Sequence, residues 1–230
     1  MINILTYFGH SCFSIKWEEG EILVDPFLNL EDASDFLDKL KITHIFITHG
    51  HGDHIGETFK LYEKFKPKIV GSYELTLFLN KKGVNENDLI PINFGGYSIF
   101  PFGKAKMVHA LHSSSYFDNE NIIYLGNPCG YIFKMRDRTI YHMGDTGLSY
   151  EFKIVGELEK IDILLVPIGG NYTMDIDDAI MATKFIKSEY VIPMHFDTFP
   201  EIRQDPNVFK KRIEIETNSK CVILKPFESF

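Results

Sequence analysis

Four apolar, strand-like runs in this chain each end on a residue type that binds metal, and no other feature constrains the fold as strongly. Ile45-Phe46-Ile47-Thr48 leads into His49-Gly50-His51-Gly52-Asp53-His54. Lys106 to Leu111 leads into His112, Thr139 to Met143 into Gly144-Asp145, and Val191 to Met194 into His195. Short apolar, β-branched runs of this kind read as buried strands. Strand ends are rigid platforms, and in open α/β sheets ligands bind beyond the carboxyl ends of the strands. The pattern therefore predicts an α/β layered domain with mixed sheets and a metal site at its strand ends.

The first of these ends is the densest, with three of the nine histidines inside six residues. Gly50 and Gly52 are expected to let the loop turn tightly, so that its side chains converge. A helical pattern starts near Ile55, and a helix N-terminus favours a bound anion or hydroxide. Neutral imidazole and carboxylate together suit zinc, manganese, iron or nickel. A solvated histidine-rich loop fits less well, because Thr48-His49 continues a buried strand. One loop rarely supplies a full coordination sphere, and His112, Asp145 and His195 offer the remaining donors.

The rest of the sequence supports one domain, residues 1–230, without linker, repeat or low-complexity stretch. Strands are expected over 2–7, 12–17, 21–25, 42–48, 97–102, 105–111, 122–125, 130–135, 138–143, 162–167, 190–194 and 221–225, with Glu19-Gly20 as a hairpin turn. Helices are expected over 32–40, 57–65, 72–83, 150–159 and 176–187, and from the cap Asp205-Pro206 through Ile213. The net charge of −8 disfavours long nucleic acid and anionic membrane as partners. No run is long and apolar enough to span a bilayer. Positions 1–13 lack an export signal, so a cytoplasmic chain is expected. Cys12, Cys129 and Cys221 are few and far apart, which argues against disulfides and against a cysteine-held zinc. The chain's 20 Phe would let copies associate, and a homo-oligomer is expected.

These residues resemble the metallo-β-lactamase superfamily. The resemblance rests on His49-x-His51-x-Asp53-His54 and is extended by Gly9-His10-Ser11, Leu23-Val24-Asp25-Pro26-Phe27, Leu111-His112, His142-Met143-Gly144-Asp145-Thr146 and Pro193-Met194-His195. Pro167 to Met174 and Phe199-Pro200 fit best the small single-domain branch of uncharacterised metal-dependent hydrolases, similar to ascorbate-phosphate lactonases. Phe8, Ser113 and Cys129 depart from common family residues, and none of these departures removes a ligand. The resemblance implies a four-layer αβ/βα sandwich of two mixed β-sheets flanked by helices. It also implies two divalent ions, zinc first among them. His49, His51 and His112 would hold the first ion, Asp53, His54 and His195 the second, and Asp145 both. Asp25 would orient the histidine loop from behind, and His142 is a weaker candidate for the same duty. His10 would line the site, or serve as a structural histidine. His44 and His109 are expected to be structural, His109 because it lies on the strand face opposite His112.

The implied activity is hydrolysis by a hydroxide bridging the two metals. Asp53 would orient the nucleophile and take its proton, and His10 or His195 would stabilise the oxyanion or leaving group. The expected substrate is a small ester, a lactone or cyclic ester. The alternative is a phosphodiester of nucleotide or phospholipid type. β-Lactam hydrolysis is not expected without an export signal. A flavin-partnered oxidoreductase of this fold carries Glu where this chain has His51. A non-enzymatic metal sensor or scaffold is the third reading, but a structural zinc site is closed and needs only four protein ligands.

Overall fold

The computed structural model of the chain describes residues 4–230. They form two compact units, one of residues up to 93 with 113–128 and 225–230, the other of 94–112 and 129–224.

The first unit opens with an antiparallel meander, β1 (Leu5–Gly9), β2 (Cys12–Trp17) and β3 (Gly20–Val24). It continues through α1 (Leu30–Leu37), β4 (Ile42–Phe46), α2 (Gly52–Ile55), α3 (Thr58–Phe65), β5 (Lys68–Gly71), α4 (Tyr73–Lys81) and β6 (Leu89–Pro91). The six strands pair in chain order, and from β3 to β6 they run parallel. The chain then gives β7 (Ser98–Phe100) and β8 (Gly103–His109) to the second unit, and the hairpin β9 (Ser115–Asp118) and β10 (Asn121–Tyr124) to the first. The second unit is completed by β11 (Cys129–Lys134), β12 (Thr139–His142), α5 (Glu151–Leu158), β13 (Ile163–Pro167), α6 (Ile176–Ile186), β14 (Tyr190–Met194), α7 (Pro206–Glu216) and β15 (Lys220–Cys221). Its seven strands lie in the order β15-β14-β13-β12-β11-β8-β7, parallel from β12 to β15 and antiparallel from β12 to β7.

The local chemistry explains these elements. Strands covered on both faces need continuous apolar runs, and every residue of β13 is buried, as are four of five in both β4 and β14. Ser72 caps α4 by accepting from the Leu75 N–H, and Asp175 caps α6 by accepting from the Asp178 N–H. Asp205 caps α7 with Pro206 in its first turn. The first unit's core gathers Leu23, Ile45, Ile47, Ile69, Leu79 and their neighbours. The second unit's gathers Ile132, Tyr141, Phe152, Leu164, Ala179 and Phe209.

Several boundaries differ from the expected ones. Of the strand expected over 2–7, positions 2 and 3 lie outside the described residues. The hairpin between β2 and β3 turns on Glu18 and Glu19, while Gly20 already pairs with Trp17. Gly20 is needed there because a Cβ would sit 2.5 Å from the Lys41 carbonyl oxygen. The first helix begins at Leu30, capped by the Asn29 side chain, rather than at Asp32. The strand expected over 221–225 shortens to β15. β5, β6 and β9 were not foreseen; each is three or four residues long, too short to display a period.

Candidate functional site

Each unit carries its own cluster of candidate donors. In the first unit, β4 delivers Thr48 and His49 to the loop before α2, and α2 itself holds Asp53 and His54. His49 and His54 are buried; His51 and Asp53 are partly exposed. His49 Nε2 lies 3.0 Å from His51 Nδ1. Two ligands each 2.0–2.1 Å from a tetrahedral ion lie about 3.3 Å apart, so this spacing fits a shared ion.

The loop is held from behind. Asp25 is fully buried and takes a left-handed backbone, with φ 45°. Its carboxylate accepts from the Thr48 N–H at 2.8 Å and the Thr48 hydroxyl at 2.7 Å, and lies 2.8 Å from His54 Nδ1. A carboxylate only accepts, so His54 carries its proton on Nδ1 and turns the lone pair of Nε2 outward. Thr48 was missed by sequence reasoning. Its Oγ1 also lies 3.0 Å from His49 Nδ1, which links Asp25 to a second imidazole. Its signal was a threonine where the strand meets the histidine loop.

The glycines act differently from the expectation. Neither Gly50 nor Gly52 has a positive φ. A Cβ on Gly50 would come within 2.8 Å of Leu125, so that position is small to admit a neighbour. The sharp turn falls instead at Gly56, with φ 46° and the Pro26 carbonyl oxygen 2.3 Å from where a Cβ would be. Ser114 Oγ accepts from the Gly50 N–H at 3.1 Å and pins the loop from another segment.

His10 is buried, again in a left-handed conformation, with φ 54°. Its Nε2 is 3.1 Å from Asp53 Oδ2, so the imidazole donates to that carboxylate. Its ring packs edge-on against Phe27, with centroids 5.3 Å apart. This places His10 beside Asp53.

In the second unit, His112 follows β8, Asp145 follows β12 and His195 follows β14. Asp145 and His195 are buried and His112 nearly so. Asp145 Oδ2 lies 3.0 Å from His195 Nε2 and 3.6 Å from His112 Nε2. One carboxylate oxygen thus faces two imidazoles. Thr146 ties the strand ends together: its Oγ1 accepts from the Leu111 N–H at 3.0 Å, and Gly147 donates to the Leu111 carbonyl at 3.0 Å. His142 Nδ1 accepts from the Gly144 N–H at 3.2 Å, so this buried imidazole is neutral and sets the turn before Asp145. Gly169 is obligatory beside His195, since a Cβ would lie 2.3 Å from the His195 carbonyl oxygen.

The remaining histidines and cysteines lie outside these clusters. His44 is buried beside Thr43, and its pKa is lowered to about 4 by burial and then by Lys68. His109 is a surface residue rather than a core one. Its side chain is 46% exposed and lies 3.9 Å from Glu151. All three cysteines are buried and free. Burial, followed by the charge of Asp25, pushes the Cys12 thiol well up, and burial lifts Cys221 to about 12, so neither offers a thiolate.

The profile of the Beta-lactamase superfamily domain matches residues 4–195. The chain belongs to the metallo-β-lactamase superfamily. It is 42% identical over 213 residues to a UPF0173 metal-dependent hydrolase of Bacillus cereus, covering 91% of this chain and 92% of that one. Igni18, a metallo hydrolase from the hyperthermophilic archaeon Ignicoccus hospitalis, superposes with a TM-score of 0.88 at 36% identity, over 98% of this chain and 96% of that one. An isothiocyanate hydrolase from Delia radicum gut bacteria superposes with a TM-score of 0.74 at 18% identity, covering 98% of each chain, and shares the fold. The chain is therefore a metal-dependent hydrolase with the metallo-β-lactamase fold that its sequence implied. No helix among the described residues is long and apolar enough to cross a membrane.

Proposed function

We propose that the chain carries a dinuclear metal centre that hydrolyses a small-molecule ester, a lactone or cyclic ester, and that residues 1–230 act as a single catalytic domain. In this reading His49, His51 and His112 hold one ion, Asp53, His54 and His195 the other, and Asp145 both. Donor arithmetic supports it: seven donors with one carboxylate shared give each of two ions four protein ligands. The observation that carries the reading is the buried Asp25 carboxylate, 2.8 Å from His54 Nδ1, which fixes the tautomer a ligating imidazole needs. All seven donors are nitrogen or oxygen, a set suited to zinc and also to manganese, iron or nickel.

When bound, a pair of divalent ions acidifies water and polarises a carbonyl or phosphoryl oxygen. The chain's own groups do the rest. In this reading Asp53 would accept a proton from the attacking water. His10, 3.1 Å from Asp53, orients that carboxylate and can take part of its charge. His195, 3.0 Å from Asp145, is the second group available to a developing oxyanion. Asp25, Thr48 and His142 hold the imidazoles and the Asp145 turn in place. Free, buried cysteines fit a reducing, cytoplasmic setting.

The test is a panel of lactones and phosphodiesters, nucleotide and phospholipid types among them, assayed with zinc-, manganese-, iron- and nickel-loaded protein. Lactone turnover that disappears in Asp53→Asn supports the proposal. Turnover confined to phosphodiesters replaces it with the alternative, and tight metal binding without any turnover favours a sensor or scaffold.

A further inference from the structure

The hairpin β9–β10 carries large apolar side chains on both faces, which an antiparallel ribbon at a protein surface ordinarily does not. Its inner face carries the pair Tyr116 and Ile123, packed on the first unit's core. Tyr116 meets the Phe78 ring of α4 at 5.0 Å. The ribbon runs along α4 and is fastened at both ends. Ser72 at the helix start donates to the Leu125 carbonyl at 2.8 Å, and Lys82 at its end lies 2.9 Å from Asp118. The outer face carries Phe117, Ile122 and Tyr124, which are 69%, 76% and 61% exposed, with Ser115 beside them. That face has no charged side chain.

We propose that this outer face is a homodimer interface, occupied by the same hairpin of a second copy packed face to face. The ribbon's register makes the face self-complementary. Phe117 is paired with Ile122, and Ser115 with Tyr124. A two-fold axis parallel to the strands exchanges the members of each pair. Phe117 of one copy then covers Ile122 of the other, and Tyr124 covers Ser115, aromatic on β-branched and large on small, in both directions. Two sheets stacked in this way lie about 10 Å apart with their side chains meeting.

The chemistry agrees with this occupant. The three exposed side chains present roughly 400 Å², about half of the ~800 Å² that each partner gives to a standard stable interface. Aromatic content and the absence of charge mark the centre of such interfaces. The nearest acidic group, Asp118, is engaged by Lys82 and lies at the rim.

The test is sedimentation of the full chain across a concentration series, with Phe117→Asp and Ile122→Asp as variants and Ile99→Asp, on β7 of the other unit, as the control. The proposal expects a species of twice 26.6 kDa for the native chain and for Ile99→Asp. It expects the dimer Kd to rise about 100-fold or more in each hairpin variant, with circular dichroism and metal content unchanged. Should a hairpin variant misfold, Ile122→Cys gives a separate reading. The native cysteines are buried, so a short bis-maleimide should link the introduced thiols of two copies and leave an Ile99→Cys protein unlinked. A native chain that stays monomeric at about 100 μM overturns the proposal. So does a dimer that survives both aspartates, or linking at position 99 and not at 122. A face that instead captures a different protein while the chain itself stays monomeric overturns it as well.

Discussion

Asp25→Asn separates holding the loop from filling space, because it keeps the side-chain volume and removes one acceptor. The native carboxylate takes three donors, the Thr48 N–H, the Thr48 hydroxyl and His54 Nδ1–H, all within 2.8 Å. In the variant the Asn oxygen still serves the Thr48 N–H, but its amide nitrogen faces the hydroxyl and the imidazole. The hydroxyl can turn and accept. His54 can accept only by moving its proton from Nδ1 to Nε2, which removes the lone pair that would bind metal. A hydrogen bond to a charged group is worth about 1.5–3 kcal/mol, and one such bond is exchanged for a weaker one, so the metal-free fold should lose about 1–2 kcal/mol. Metal affinity should fall by about 10–100-fold, the usual effect of losing a partner behind a ligating histidine. Competition against a chromophoric chelator reads the affinity, and urea unfolding of the metal-free protein reads the stability. A variant that binds metal within about twofold of the native chain, with the expected loss of stability, would refute the tautomer argument and leave Asp25 as a packing residue.

Two further outcomes follow from single contacts. Gly169→Ala puts a Cβ 2.3 Å from the His195 carbonyl oxygen, so it should displace His195 and cost metal affinity as well as about 2–3 kcal/mol of stability. Chelator competition and urea unfolding of Gly169→Ala check both, and an unaffected protein would show that the strand ends can part without consequence. His44 titrates near 6.5 when unfolded and about 4 when folded, so below pH 6.5 the unfolded chain binds a proton that the folded chain resists. Stability should therefore fall by up to roughly 3 kcal/mol as the pH drops from 6.5 to 4. His44→Asn should flatten that part of the unfolding profile, and an unchanged slope would assign the acid sensitivity elsewhere.

What was legible in the sequence was whatever local spacing determines. Apolar, β-branched runs announced β4, β12, β13 and β14, and the residue types at their ends marked the candidate donors. Ser72 and Asp205 marked the helix starts that their side chains cap, while the Asp175 cap of α6 was not read. What was not legible depends on neighbours distant in sequence. Gly50 is small because Leu125 approaches it, and no feature near Gly50 says so. Thr48 gains its role only where Asp25 meets it. His109 was set aside because it lies on the strand face opposite His112, but its exposure beside Glu151 could not be read from that alternation. The hairpin β9–β10 escaped in half because Ser115–Asp118 is short and mixes polar with aromatic residues.

The central proposal, that these seven donors hold two metal ions, is tested most directly by metal content. Mass spectrometry would be run on the native chain and on His51→Ala and Asp145→Ala, one variant in each unit. About two divalent ions per native chain are predicted, with the content falling in both variants. If either variant kept its full complement, or if zinc, manganese, iron and nickel all failed to load the native chain, the account would be contradicted.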